Sequence, residues 1–339
     1  MKNIVKNTMA AALALSILPV LSFAEGKSIY GDDNRKDFFQ MSASFQEVSK
    51  SVVSLWKSAS VEAAAPGGFI LKTVNFGDRL NLCPGERFRE QPIGAFCSGA
   101  LVGPDLVMTA GHCIKSEEQC KDTKFVFGYG VMKEGEPART GVTGADVYGC
   151  AKVVKRFLTG EPGSEAPAGQ SLGADYALVQ LDRRVEGRKA LPVSRGTSLK
   201  KGDSIFVIGH PVGLPVKLAG YAKVRDFSKA GYFVADLDTF GGNSGSPVFN
   251  VQTKKIEGIL VRGDEDFLDS PAGCTTMATY AQTGGRGEDV TKISVLSSFI
   301  PRLAGEKSAG LEEGELEIRE MDSSAIQPGE AASRSVSFD

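Results

Sequence analysis

The sequence feature that most constrains the fold is a glycine-rich turn at residues 241–247, which reads GGNSGSP. Its glycines permit backbone conformations that other residues resist, so the amides of Gly242 and Ser244 can point into one small hollow. A serine hydroxyl is a weak nucleophile unless a base accepts its proton and donors hold the oxyanion that its attack produces. Taken alone, the turn is equally consistent with an ordinary connection between two strands.

Two further segments supply the partners that such a serine needs. Residues 106–113, LVMTAGHC, read as an apolar strand leading to His112, and residues 173–181, GADYALVQL, place Asp175 at the head of another apolar strand. A histidine can accept the serine proton, and a buried aspartate can orient the imidazole and stabilise its protonated form. Asp182, at the far end of the same strand, is the alternative carboxylate.

These three segments resemble the signature blocks of chymotrypsin-fold serine proteases. TAGHC, DYALVQL and GGNSGSP occur in that family's chain order of histidine, aspartate and serine. GNSGSP, together with YGDDNR at residues 30–35, is more similar to the bacterial glutamyl endopeptidases than to the digestive enzymes. The resemblance covers roughly residues 28–302.

The resemblance assigns a role to each residue of the expected catalytic site. His112 is implied to be the general base, Asp175 its orienting carboxylate and Ser244 the nucleophile that forms an acyl-enzyme. The amides of Gly242 and Ser244 are implied to form the oxyanion hole. The other histidine, His210, lies in a turn without a partner motif and is interpreted as structural.

The rest of the chain consists of short apolar runs broken by Gly, Pro, Asp and Asn. Such runs indicate an all-β sandwich or barrel, and periodicity alone does not decide between the two. The resemblance favours two antiparallel six-stranded β-barrels, chymotrypsin-like, with a boundary near residues 185–200. Residues 290–303 carry apolar side chains at helical spacing, which predicts a closing C-terminal helix capped by Asp289 or Thr291.

The resemblance also indicates which residues contact the substrate. Asp238, six residues before the nucleophile, is implied to line the floor of the pocket for the side chain preceding the cleaved bond, beside Thr239. A buried carboxylate there favours arginine or lysine, whereas in the alternative interpretation Asp238 only caps a turn. Residues 258–263 lack the histidine expected of glutamyl enzymes, and Arg262 in that segment is a candidate to attract an acidic side chain or to pair with Asp238.

Residues 1–24 are typical of a secretory signal peptide, with Lys2 and Lys6, an apolar run and a small-residue end at Ala24. The run is short for a membrane span, so no stable span is expected after removal of the signal. The mature chain is expected to begin near Glu25 and to be secreted or periplasmic. The alternative is an uncleaved anchor.

Six cysteines in an exported chain favour disulfide bonds over free thiols. The resemblance implies a bridge from Cys97 to Cys113 that holds the histidine loop. Two other cysteines flank segments interpreted as neighbouring strands, which leaves the last two for each other: Cys120 with Cys150, and Cys83 with Cys274. Neither Cys nor His forms a ligand cluster in the sequence, so no metal or organic cofactor is expected.

The composition fits a globular enzyme, with 42% hydrophobic and 24% charged residues and a formal net charge of −2. No basic stripe indicates a nucleic-acid partner. We expect residues 25–304 to be a monomeric protease domain acting on proteins or peptides. Residues 306–339 hold nine acidic residues against three basic ones, so residues 305–339 are predicted to form a disordered acidic tail.

The sequence therefore predicts a secreted serine endopeptidase that cleaves after arginine or lysine if Asp238 lines the pocket, or after glutamate if it follows the bacterial group. One alternative is a protease-shaped binding protein without activity. Another is an esterase on a different fold, but the Gly-x-Ser-x-Gly elbow is not present around Ser244 and the order of the triad differs.

Overall fold

The computed structural model describes residues 28–196 and 199–306. The predicted signal peptide and all of the acidic tail beyond residue 306 lie outside the described residues. The unit that carries the fold ends at Leu303.

Six antiparallel strands of the N-terminal half close into a barrel. Strand Asp175–Leu181 is buried at every position except Gln180, as expected for a strand whose two faces are both covered. The barrel closes because Thr123–Phe127 pairs on one side with Val147–Leu158 and on the other with Val52–Lys57. The other two strands are Cys97–Leu101 and Leu106–Thr109, and the second of these leads directly into the His112 loop.

The C-terminal half repeats the same architecture. Strand Ser204–Gly209 pairs with Lys217–Asp226 and with Pro247–Asn250, which closes a second six-stranded antiparallel barrel. Its remaining strands are Tyr232–Ala235, Ile256–Arg262 and Glu288–Lys292, and the short strand Lys36–Asp37 adds to the Lys217–Asp226 edge. The predicted fold of two six-stranded antiparallel barrels is confirmed.

One hydrophobic cluster draws side chains from both barrels. Leu178 and Val179 from the first barrel and Phe206 and Ile259 from the second belong to the same set of buried contacts. Phe206 stacks on Phe249 at 4.8 Å between ring centroids, within the range of favourable aromatic pairs. The interface between the two barrels is therefore packed with buried apolar side chains.

Short elements fill the surface between the barrel strands. The short strands are Ile29–Tyr30, Val61–Ala64, Gly68–Leu71, Val74–Asn75, Pro92–Ile93, Gly141–Thr143, Phe267–Asp269, Thr275–Met277 and Thr279–Tyr280. The helices are Ala43–Ser49, Phe76–Leu80 and Glu117–Lys121, with 3₁₀ turns at Phe38–Gln40, Ser58–Ser60 and Pro211–Gly213. In the described ranges no helix has the length and apolar character of a membrane span.

The predicted closing helix is wrong. Glu288–Lys292 is a strand that pairs on both sides, with Tyr232–Ala235 and with Ile256–Arg262. The strand takes up residues 290–292 of the predicted helix, and neither Asp289 nor Thr291 is a helix cap. Two 3₁₀ turns follow, Ile293–Val295 and Ser297–Phe299.

The prediction that the cysteines are bonded is also confirmed. The structure contains three disulfides, and no cysteine in the described residues is free. The pairs are Cys83–Cys274, Cys97–Cys113 and Cys120–Cys150. The second pair ties the first residue of a barrel strand to the residue that follows His112, and so restrains the histidine loop.

Candidate active site

Asp175 holds the imidazole of His112 in one orientation. The distance from His112 Nδ1 to Asp175 Oδ2 is 2.6 Å, and the aspartate side chain is 1% exposed. The other carboxylate oxygen, Oδ1, accepts hydrogen bonds from the backbone amides of Gly111 at 2.6 Å and His112 at 3.2 Å. Because Oδ2 can only accept, Nδ1 carries the proton, and the lone pair of a neutral imidazole lies on Nε2.

The electrostatic surroundings keep Asp175 ionised. Burial by itself raises the pKa of this carboxyl group, but the hydrogen bond from His112 and the charges of His112 and Arg262 outweigh it, with a contribution from the Gly111 amide. The net effect is a pKa below the ordinary value for aspartate. A buried charge of this kind stabilises an imidazolium when one forms.

Thr291 fixes the backbone of Asp175 from the opposite barrel. Its hydroxyl accepts from the Asp175 amide at 3.0 Å and donates to the Asp175 carbonyl at 2.9 Å. Thr291 lies in the last strand of the C-terminal barrel, whereas Asp175 begins a strand of the N-terminal barrel. The histidine–aspartate pair is therefore positioned at the line where the two barrels meet.

The turn that carries Ser244 packs against the strand that leads to His112. Gly245 has φ = +90°, and a Cβ there would overlap the Ser98 carbonyl oxygen and the Thr109 hydroxyl, so only glycine fits. The Ser244 carbonyl accepts from the Ser98 amide at 2.8 Å and lies 3.6 Å from the disulfide sulfur of Cys113. The serine and histidine loops are thus in direct contact.

The backbone amides around Ser244 differ in their hydrogen bonding. The amides of Asn243 and Gly245 donate to backbone carbonyls of Phe240 and Leu260. Among the described residues no protein acceptor is found for the Gly242 amide, and the next peptide unit is held by a 2.8 Å hydrogen bond from Ser98 Oγ to the Gly242 carbonyl. A backbone amide beside the serine is the donor type that an oxyanion hole uses.

Ser244 is 4% exposed, and its hydroxyl donates to the carbonyl of Val261 at 3.3 Å. Val261 belongs to the strand Ile256–Arg262, which also carries Arg262. The nucleophile candidate therefore lies beside the segment in which the sequence places substrate-contacting residues.

Arg262 lies behind the histidine–aspartate pair. Its Nε is 3.1 Å from Asp289 Oδ2, its Nη2 donates to the Gly173 carbonyl at 2.8 Å, and its Nη1 is 4.0 Å from Asp175 Oδ2. Within the described ranges, these two aspartates are its ion-pair partners, so the alternative in which Arg262 pairs with Asp238 is wrong. Asp289 lies opposite Arg262 on the neighbouring barrel strand, which places its carboxylate beside the guanidinium.

Replacing Arg262 with methionine is expected to move the acidic limb of the kcat/KM–pH profile to higher pH. Removal of this cation from beside Asp175 makes protonation of the His112 imidazole easier, so the neutral base persists only at higher pH. The profile should be measured with a peptide substrate from about pH 5 to 9, the range in which histidines commonly titrate. The matched control is Arg184→Met, whose side chain is 70% exposed. An unshifted profile in R262M would contradict this electrostatic role.

Asp238 holds the N-terminal segment of the described chain. Its Oδ1 accepts from the Tyr30 amide at 2.8 Å and its Oδ2 from the Asn34 amide at 3.1 Å. Burial raises the pKa of its carboxyl to about 7, although the two amides act in the opposite direction. This is the capping arrangement of the alternative interpretation, and a part for Asp238 in selecting the substrate stays a prediction.

Thr239 turns its hydroxyl to a residue that the sequence analysis did not single out. Thr239 Oγ1 donates to Glu288 Oε2 at 2.8 Å, and Glu288 is 0% exposed. Glu288 is the first residue of the last barrel strand, and no motif marks it because its partners come from distant parts of the chain. Thr291 was missed for the same reason.

His210, the second histidine, and Asp182, the alternative carboxylate, lie away from the histidine–aspartate pair. The His210 imidazole is fully buried, stacks on Tyr129, and has Nδ1 3.0 Å from the Leu214 carbonyl. Burial lowers its pKa to about 3, so it stays neutral at physiological pH. Asp182 accepts from the Gly149 amide at 2.9 Å, at the end of the strand opposite to Asp175.

The ligand atoms of Cys97, His112 and Cys113 lie within 4.8 Å of one another, which is close enough to hold a metal ion. However, the two sulfurs are bonded to each other, and a disulfide offers no thiolate to a metal. This cluster therefore cannot act as a cysteine–histidine metal centre, and the absence of a cofactor stays a prediction.

Comparison with known proteins agrees with this geometry. The model of the trypsin-like peptidase domain matches residues 97–259. Glutamyl endopeptidase of Bacillus licheniformis is 28% identical over 167 residues, which cover 47% of this chain and 46% of that protein. Glutamyl endopeptidase of Staphylococcus aureus is 26% identical over 175 residues, or 49% of this chain and 43% of that protein. The chain thus spans less than half the length of these relatives.

Two solved structures are also similar. The Vibrio cholerae VesB protease has a TM-score of 0.46 at 17% identity, over 81% of this chain and 68% of that one. A Glu endopeptidase in complex with MPD has a TM-score of 0.41 at 16% identity, over 79% of this chain and 95% of that one.

The chain contains a trypsin-like peptidase domain, and its two barrels have the architecture of the chymotrypsin-fold serine proteases. The resemblance inferred from the three sequence blocks is thereby confirmed. The family match and the glutamyl endopeptidase relatives support a serine endopeptidase.

Proposed function

We propose that this protein is a secreted serine endopeptidase that acts through His112, Asp175 and Ser244. The observation that carries the proposal is the 2.6 Å contact between His112 Nδ1 and a buried Asp175 carboxylate, in a loop packed against the Ser244 turn. Such a pair leaves the imidazole oriented as a base, which a serine nucleophile requires.

In this mechanism Ser244 Oγ attacks the carbonyl carbon of the peptide bond while its proton passes to His112 Nε2. The resulting imidazolium is stabilised by Asp175, which keeps its charge throughout. The negative charge that develops on the carbonyl oxygen is held by the amides of Gly242 and Ser244. The imidazolium then protonates the leaving amine, and a water molecule hydrolyses the acyl-enzyme with His112 again as base.

The proposed enzyme reaches its substrate outside the cytoplasm. The signal-like residues 1–24 and three disulfides both suit an oxidising compartment, either the medium or the periplasm. Residues 25–304 form the proposed peptidase domain, which acts as a monomer on protein or peptide substrates. The tail that follows is proposed to remain a disordered acidic extension.

Labelling with a fluorophosphonate distinguishes this proposal from an inactive binding protein of the same shape. The reagent reacts with a serine only when a neighbouring base and an oxyanion hole activate it. We expect one label per protein by intact mass, located on Ser244 by peptide mapping and lost in His112→Ala. The His210→Ala variant, at the other histidine, should retain the label as long as it folds. Failure of the folded wild-type protein to react would leave only the binding-protein alternative.

A further inference from the structure

A buried carboxylate lies between the two segments that were predicted to wall the substrate pocket. One segment contains Thr239, five residues before Ser244, and the other contains Gly263, two residues after Val261. Glu288 Oε2 accepts from Thr239 Oγ1 at 2.8 Å, and a Cβ on Gly263 would overlap the same carboxylate. The acidic group between these walls is therefore Glu288.

Asp238, the acid expected in this place from the sequence, has both oxygens committed elsewhere. They accept from the backbone amides of Tyr30 and Asn34. Glu288 Oε1 also faces that N-terminal segment, but its Oε2 accepts from the Thr239 hydroxyl of the pocket segment itself. Leu260 stands in the segment where glutamyl enzymes are expected to carry a histidine, and its side chain is fully buried. The described surroundings thus place a carboxyl group between the two predicted pocket segments.

The distance from the nucleophile suits a long basic side chain. Ser244 Oγ donates to the Val261 carbonyl, and a strand rise of about 3.3 Å per residue puts Gly263 about 6.6 Å further along. The Glu288 carboxylate touches the backbone at that point. A lysine or arginine next to the cleaved bond spans a comparable length, so its charged end would arrive at the carboxylate.

We propose that Glu288 determines specificity by selecting lysine or arginine on the N-terminal side of the cleaved bond. This inference rests on the proposed endopeptidase function and departs from the preference that the relatives' name states. A glutamate side chain would meet a like charge in a buried setting, where repulsion is weakly screened. A cationic side chain would instead form a charge-assisted hydrogen bond.

The present hydrogen-bond partners of Glu288 could be replaced by the charged end of a substrate side chain. Besides Thr239, its carboxylate accepts from the Tyr30 hydroxyl at 3.1 Å and the Ser28 amide at 3.3 Å, and all three are neutral donors. Because Glu288 is 0% exposed, a substrate cation must displace one of them. A substrate cation brings a full positive charge to the carboxylate, which a hydroxyl or an amide does not, and this Coulomb attraction favours its replacing one of them.

Arg286 is the described cation whose position opposes this interpretation. It interacts electrostatically with Glu288, but its Nη1 donates to the Gly263 carbonyl at 3.0 Å and its Nη2 lies 2.9 Å from Asp289 Oδ2. Its guanidinium is thus held by two other acceptors. If Arg286 governed the pocket, the enzyme would prefer an acidic side chain, and this is an outcome of the test below.

The test measures kcat/KM on peptides that differ only in the residue before the cleaved bond, namely Lys, Arg, Glu, Gln or Ala. Wild-type protein should prefer Lys and Arg over Glu by on the order of 100-fold or more. Glu288→Gln should lower kcat/KM for Lys and Arg peptides by on the order of 100-fold while changing the Ala peptide little. The control Asp238→Asn should leave the Lys-to-Glu ratio unchanged.

A wild-type preference for Glu, or an unchanged Lys-to-Glu ratio in E288Q, would overturn the inference. If D238N, rather than E288Q, lowered kcat/KM for the Lys and Arg peptides, Asp238 would be the residue that selects the substrate. Fluorophosphonate labelling of each variant separates this failure from a failure of the proposed function, because labelling depends on the triad and not on the pocket acid. If E288Q does not fold, the wild-type panel and competitive inhibition by benzamidine, a small cation, decide. A wild-type protein that neither prefers Lys and Arg peptides nor is inhibited by benzamidine would refute the inference.

Discussion

Replacing Ser244 with alanine is expected to remove nearly all peptide turnover, by on the order of a million-fold, as in serine-triad enzymes of other folds. The alanine has no oxygen to attack the carbonyl, and the remaining groups can only orient the substrate. The Ser244 hydroxyl donates to the Val261 carbonyl at 3.3 Å, a neutral hydrogen bond whose loss costs about 1 kcal/mol, so the fold should survive its removal. Initial rates on a peptide substrate, with active protein quantified before the assay, measure the effect.

The matched control is Ser44→Ala, which removes an exposed serine hydroxyl from the helix Ala43–Ser49. It should leave kcat/KM unchanged. Circular dichroism and thermal melting of both variants should match the wild-type protein. Turnover by folded S244A within tenfold of the wild-type rate would mean that another residue is the nucleophile.

Asp175→Asn is expected to lower kcat by about 10⁴-fold, the size of effect that follows loss of the correct imidazole tautomer in triad enzymes. Oδ1 of Asp175 accepts from the amides of Gly111 and His112, so the asparagine oxygen must remain on that side. Its NH₂ group then replaces Oδ2 beside His112 Nδ1. A donor in that place moves the imidazole proton to Nε2, where the serine needs an acceptor.

Asp182→Asn, at the other end of the same strand, is the control because Asp182 was the alternative carboxylate. It should retain full activity, since Asp182 only accepts from the Gly149 amide and pairs with exposed Arg183. Single-turnover kinetics report on the acylation step, and circular dichroism reports on folding. Equal losses in the two variants, or full activity of D175N, would contradict the assigned role of Asp175.

The sequence predicted the barrels and the chain order of the proposed triad because short motifs encode those features locally. TAGHC and GGNSGSP each combine a strand end, a required glycine and a reactive side chain within a few residues. The roles of His112, Asp175 and Ser244 remain predictions until the variants are assayed. The closing helix was mispredicted because the spacing of Ile293, Leu296 and Ile300, which are all buried, is also met by two successive 3₁₀ turns after the last strand.

The surroundings of the site could not be predicted because they depend on contacts between distant parts of the chain. Thr291 lies 116 residues from Asp175, whose backbone it holds. Pairing with Asp238 was one of two roles considered for Arg262, because the sequence gives no information on which of several carboxylates a guanidinium will meet. Burial does not decide the matter, since Asp238 is also 1% exposed, whereas Asp289 lies opposite Arg262 on the neighbouring barrel strand.

The hydrogen bonds of the Thr291 hydroxyl predict how the proposed catalytic site responds to heating. This hydroxyl, in the C-terminal barrel, hydrogen-bonds both the amide and the carbonyl of Asp175 in the N-terminal barrel. If the contact between the two barrels weakens on heating, Asp175 and the His112 imidazole should lose their alignment before either barrel unfolds. Inactivation on warming should consequently precede the loss of β-structure.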